Sequence, residues 1–385
     1  MYGVCAVAVY TIYMNCMKFL GLFIFCMIPF GVNAQEVHQE LQETVRAEVQ
    51  KIIHEEERDI IGTDTTSLVQ EVLVEVQGGE RKGEKVSFET DLMKLEVGDS
   101  IYINRLVGID GVEYFAFKDI DRSMPLLGLV VCFAALLIIF AGRQGFRALM
   151  SLCLSIAILF FVLVPLLLSG YPPVWVSVLV AGPMLAGMLF LTHGVHSRVW
   201  IAFLGTFGAV IVTSVMTIIW VSVSRFTGLS SDAAIYLNFS TQGSLDFGGL
   251  LLGSIIIGML GVLDDVAITQ ASVVGELKRA NASLSFRELY TRGIRVGRDH
   301  VGSLVNTLAF AYIGASLPLV LLLMKAQSGI VLSLNQEMVA VELVRIFVGS
   351  IGLILAVPLT TLIASLWYKG GVEGGESAVA HTHHH

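Results

Sequence analysis

The sequence predicts an α-helical polytopic membrane protein of about seven spans, preceded by an N-terminal signal and carrying a small α+β extracytoplasmic domain. Three observations lead there. Of the 385 residues 55% are apolar and 15% charged, with a mean hydropathy of +0.76, a balance foreign to soluble globular chains. After Met124 the apolar residues gather into runs of roughly 20, the length a helix needs to cross a hydrocarbon core of about 30 Å. Backbone groups in lipid have only each other as partners, so such runs become bundled helices.

The first segment, residues 1–34, reads as a signal peptide or signal anchor. Lys18 precedes an apolar stretch from Phe19 to Phe30, and Val32 and Ala34 stand at the −3 and −1 positions of a cleavage site. Met17 offers an alternative start, and with or without cleavage Gln35 lies outside the cytoplasm. Residues 35–123 form the exported domain. From Glu36 to about Ile61 the apolar residues Val37, Leu41, Val45, Val49 and Ile52 recur at three- and four-residue spacings, which predicts an amphipathic helix. The period then shortens to two at Val72, Val74 and Val76, followed by Val86 and Phe88, Ile101 and Ile103, and Tyr114 to Phe117. Turn signals at Gly78-Gly79, Gly98-Asp99 and Asp110-Gly111 separate these short strands into a small β-barrel or half-barrel.

Charge and cysteine usage narrow the partners. Residues 35–123 hold 21 acidic and 10 basic residues, a net of −11 against −8 for the whole chain. So acidic a domain disfavours nucleic acid and anionic headgroups as partners. Cys5, Cys16, Cys26, Cys132 and Cys153 all fall in the leader or in apolar runs, so no disulfide framework holds the exported domain, and Cys132 and Cys153 read as small packing residues. His38 and His54 sit among carboxylates and read as part of a solvated face.

Residues 124–369 read as the helix bundle, with spans at about Pro125–Ala141, Ala148–Leu168, Val174–Thr192, Val199–Val221, Gly248–Val274, Val301–Met324 and Val339–Trp367. With the domain outside, the inner connections hold Arg143, Arg147, Arg198, Lys278, Arg279, Arg287, Arg292, Arg295, Arg298 and Lys369, whereas the outer loops hold Arg225 and Lys325. Ten against two follows the positive-inside rule and puts the C-terminal tail, residues 370–385, in the cytoplasm. Between Glu276 and Arg295 the basic residues alternate with Leu284, Phe286, Leu289 and Tyr290, which predicts an amphipathic segment on the inner surface. His381, His383, His384 and His385 read as a disordered tail.

The fifth span breaks its own rule by placing Asp264 and Asp265 inside an apolar helix. A carboxylate at membrane depth costs at least about 2.5 kcal/mol, so such residues face a bundle interior or a wet cavity. Asp265 shares a helical stripe with Ser254, Gly258, Gly261, Thr269, Ser272 and Glu276, small and polar residues suited to close helix approach or to an ion path. Asp265, Asp264, Asn306 and Thr269 are therefore the candidates for proton or ion coupling, Asn306 as partner from the next span. Arg298, Asp299, His300 and Glu276 are the interfacial or gating candidates, and Glu342 pairs with Arg345 on one helix face. There is no Walker loop, His-Glu-x-x-His, Gly-x-Ser-x-Gly or paired-cysteine motif, so neither a cofactor nor a metal is expected, nor an enzyme of those classes.

The run from Gly261 through Asp264-Asp265 to Ser272, Glu276-Leu277, Gly297-Arg298-Asp299-His300, Asn306 to Pro318, and Gly349-Ser350-Ile351-Gly352 with Val357-Pro358-Leu359 resembles the YibE/F family of bacterial membrane proteins. Many members of that family carry one acid, matching Asp265, and this chain resembles the branch with two. The resemblance implies a multi-pass protein of the bacterial inner membrane and no settled biochemistry. Three functions are carried forward: a proton- or ion-coupled transporter or exporter of unknown substrate, a non-transporting factor for export or assembly acting through the exported domain, and a membrane-embedded enzyme. The expected partners are the lipid bilayer, protons or small ions, and further copies of the chain or other membrane proteins. A reporter fused after Ser231 should read outside and one after Ser283 inside; reversed activity at both would refute the topology.

Overall fold

A computed structural model describes residues 42–59, 66–79, 81–107, 112–325 and 329–370. The signal segment, His38, the Asp110-Gly111 turn and the histidine tail lie outside the described residues. The chain divides between Leu129 and Val130 into two compact units.

The first unit is an antiparallel sheet of five strands: β1 (Gln42–Asp59), β2 (Thr66–Val76), β3 (Lys85–Thr90), β4 (Ser100–Val107) and β5 (Glu113–Ile120), in the order β3-β2-β1-β4-β5. The amphipathic helix expected from Glu36 to Ile61 is corrected here, because its described part is the long central strand β1. A spacing of four is a multiple of the strand period as well as close to the helical one, so Val45 and Val49 fall on one face either way. Val45, Ala47 and Val49 are buried in alternation. The three-residue step to Ile52 arises from register shifts at Val49/Lys51 and Ile52/His54, where extra residues turn Ile52 back toward the core.

Val72, Val74, Val86, Phe88, Ile101 and Ile103 complete this core, and the side chains of Phe115 and Phe117 rest against it, giving a half-barrel. Gln70, fully buried, pins the β3–β4 connection: its Oε1 accepts from the Leu95 amide at 2.7 Å and its Nε2 donates to the Leu95 carbonyl at 3.3 Å. Glu113 on β5 accepts from both Arg105 and Arg81 at 2.8 Å. The hydrogen bond from Arg105 holds the Glu113 carboxyl below the ordinary carboxylate range.

The second unit is helical. Helix α1 (Ser123–Ile158) continues through a π-turn at Leu159–Leu163 into α2 (Val164–Leu168), 46 residues in all. It is broken at Gly142, whose φ of 55° and ψ of −127° are non-helical. A Cβ on Gly145 would lie 2.3 Å from the carbonyl oxygen of Leu137, although eight residues of straight helix advance about 12 Å. The chain therefore folds back on itself at this glycine. Then come α3 (Pro173–His193), α4 (Ser197–Ser224), the short α5 (Asp232–Ser240), α6 (Phe247–Ala280), α7 (Phe286–Ala315), α8 (Leu317–Lys325), α9 (Ile330–Asn335) and α10 (Glu337–Trp367).

By length and apolar content, five described segments are able to cross a membrane, six if α7 and α8 count as one. Those two meet at a 70° bend where a single span from Val301 to Met324 was expected. Pro318 explains it, because proline disfavours helical geometry in the residue before it and supplies no N–H. The segment between Glu276 and Arg295, expected as a separate amphipathic stretch, is built from the ends of two long helices. From Phe286 onward it is the start of α7, opened by a capping box in which Ser285 and Glu288 bond reciprocally. The core of the unit gathers around α3, α4, α6 and α10, with α6 the most enclosed: 61% of its apolar window is buried, against 17% for Ser123–Leu168.

Ile101 is fully buried in the half-barrel, and its replacement by Ala should remove about 2–5 kcal/mol from the stability of that unit. Urea unfolding followed by the β-sheet signal of residues 35–122 is the measurement.

Candidate functional site

Helix α6 owes its position to the face opposite Asp265. Leu260, Leu263, Ala267, Gln270, Ala271 and Val274 are buried on that face. The amide of Gln270 donates to the Gly293 carbonyl at 2.8 Å and to Thr361 Oγ1 at 2.7 Å, joining α6, α7 and α10. Such an amide is held firmly, since its polar atoms have no water to turn to at this depth. Gly293 and Gly297 allow α7 to come close enough: a Cβ on Gly297 would stand 2.4 Å from Val357 Cγ1 and 2.9 Å from Gln270 Oε1.

Asp265 lies on the other side, and Asp264, about 100° round the helix, at the edge of the packed face near Ala267 and Ala271. Asp264 is half-buried and Asp265 exposed on the bundle, as are Ser254, Gly258, Gly261, Thr269 and Glu276 along the same stripe. The small residues of the stripe therefore do not mediate tight helix approach within this chain. Gly253 does so instead, against Ser177 and Pro173 of α3. Across the stripe, Tyr312 approaches Gly258 while Gly293 pairs with Gln270, an antiparallel register that brings Asn306 within about one helical turn of Asp264 and Asp265. Asn306 is exposed, and among the described residues no hydrogen bond joins it to either acid.

Below Asp265 the stripe enters two cavities. The larger, about 950 Å³, is lined by Arg143, Gln144 and Arg147 beyond the Gly142 break, Thr192 and His193 at the end of α3, Arg198 at the start of α4, and Thr269, Ser272 and Glu276 of α6. The smaller, about 380 Å³, is lined by Thr269, Gln270, Gly297, Asp299 and His300. Thr269, one turn from Asp265, borders both. His193 is near enough to Asp265 to feel its charge. Glu276 is paired with Arg279 at 2.8 Å, Arg298 is exposed and borders neither cavity, and Glu342 pairs with Arg345 at 2.7 Å as expected.

Sequence reasoning missed three things here. Gln270 passed as one letter of a motif, though a glutamine among buried residues of an apolar span is itself a signal for an interhelical hydrogen bond. Lys278, counted as a solvated inner charge, is buried and donates to the carbonyls of Ala282 and Leu284 at 2.8 and 3.0 Å, holding the α6–α7 turn. Arg143, Arg147 and Arg198 were read only for topology and His193 not at all, whereas the fold brings them round one cavity.

A bundle of long apolar helices with paired acids in its central member is a polytopic membrane protein. Residues 129–370 match the family described as YibE/F-like protein, and the chain belongs to that family. The match covers the helical unit and leaves the β strands outside it. No curated protein and no solved structure matches the chain significantly.

Gly297→Val should lower the thermal stability of the detergent-solubilised protein by about 1–3 kcal/mol, because the β-branched Val357 has little rotamer freedom to yield. Gly261→Ala, with nothing within 4 Å of the added carbon, should leave it unchanged or slightly raised. Thermal unfolding of the two variants side by side is the check.

Proposed function

We propose that the protein is a proton- or ion-coupled transporter of the bacterial cytoplasmic membrane, with Asp265 as the coupling acid and Asp264 in a lesser role. The observation carrying this is Asp265 on the open face of the most enclosed helix, one turn from Thr269, which borders two cavities. Two adjacent carboxylates at membrane depth cost several kcal/mol unless protonated or paired, and neither acid has a salt bridge among the described residues. A structural clamp would call for hydrogen-bond partners; an acid exposed on the bundle and joined by none among the described residues is suited to binding and releasing protons. Asn306, within about a turn of the acids, is the partner from the next helix in this reading, and Asp299 and His300 border the smaller cavity beside Thr269.

In this reading the bundle crosses the membrane seven times, because 46 residues of helix would reach about 69 Å if straight and Gly142 turns them into two passes. The half-barrel is extracytoplasmic and the C-terminus cytoplasmic. A second reading, a factor that assists export or assembly, draws on the half-barrel, where Leu92 and Val97 in the β3–β4 connection are 73% and 63% exposed and offer apolar surface to a partner.

Replacing Asp265 by Asn preserves size and hydrogen bonding and removes titration. In a deletion strain profiled for uptake and efflux, the Asp265→Asn protein should insert at normal abundance and lose at least about tenfold of the complementing activity. Full complementation would leave the export-factor reading in its place.

A further inference from the structure

We propose that the larger cavity is an anion site for a phosphate-bearing group. Positive charge at the inner border of a bundle is expected for topology alone, but topology does not require that it converge. Here three arginines from two separate elements, Arg143 and Arg147 on α1 and Arg198 on α4, line one volume of about 950 Å³ together with His193 of α3. That volume lies within the size of ligand pockets. Arg143 and Arg147 are four apart on the same helix face, where like charges repel, and both are exposed toward the cavity mouth. The single carboxylate in the lining, Glu276, is engaged by Arg279 at 2.8 Å. Gln144, Thr192, Thr269 and Ser272 add neutral donors to the wall. Guanidinium groups from two elements, with hydroxyl and amide donors beside the apolar Ile268, Val273, Leu277 and Ala280, fit a phosphate, which accepts paired N–H bonds from arginine, better than they fit a cation. Two sources carry that chemistry: the headgroup of an anionic phospholipid from the inner leaflet, and a soluble phosphate compound from the cytoplasm. Neither Asp264 nor Asp265 lines the site, which shares only Thr269, Ser272 and Glu276 with the stripe of the coupling acid, so its test is independent of proton coupling.

The test uses the full chain in detergent, titrated separately with phosphatidylglycerol, with phosphatidylcholine and with inorganic pyrophosphate, while the thermal midpoint is followed. The midpoint should rise with phosphatidylglycerol or with pyrophosphate and not with phosphatidylcholine. In the double variant Arg143→Gln/Arg147→Gln the apparent affinity should fall about tenfold or more, and in Arg143→Lys/Arg147→Lys, which keeps the charge, by less. A rise with phosphatidylglycerol alone identifies a lipid headgroup, and a rise with pyrophosphate identifies a soluble phosphate. No rise with either, or an equal rise in the glutamine variant, overturns the proposal.

Discussion

Lipid tails are as apolar as leucine, so burying apolar surface does not drive one membrane helix against another; the helical unit depends instead on how closely its backbones approach. The tight contacts form a consistent set: Gly205 against Thr360, Gly352 against Thr213, Gly253 against Ser177, and Gly293 and Gly297 against Thr361, Val357 and Gln270. Each involves α6 or α10, which thereby become the shared partners of α3, α4 and α7. Because one face of α6 is committed to these contacts, the opposite face is left to hold Asp265. The position of the acid is a by-product of where the glycines are.

Most of this arrangement is legible in the sequence, for reasons that differ from element to element. The long apolar runs follow from the solvent, since a bilayer accepts little else. The strands around Val72–Val76, Val86–Phe88 and Ile101–Ile103 show an alternation that no helix produces, and they stand where expected. β1 was legible as amphipathic but not as a strand, because its apolar spacing satisfies both periods and its bulges hide the parity change. A one-dimensional pattern cannot separate two periods that share a common multiple.

The site shows the same division. The acids announce themselves by their cost, and Thr269 follows from the stripe. That Asn306 comes within about a turn of the acids is a consequence of antiparallel neighbours joined by a short turn, legible from loop length. That no hydrogen bond joins it to Asp265 depends on helix rotation about the axis, which spacing along the chain does not carry. The convergence of Arg143, Arg147 and Arg198 requires the reversal at Gly142, and a glycine with positive φ leaves no mark in the sequence beyond being a glycine.

The capped start of α7 has a mechanical meaning. From Phe286 to Ala315 the chain is one rod of 30 residues, about 45 Å long, with arginines at its inner end, Gly293 and Gly297 wedged against the bundle, and Asn306 beyond them. A flexible loop at this end would absorb a displacement of Phe286. A continuous helix instead carries it along its own length, past the wedge at Gly293 and Gly297, as far as the 70° bend.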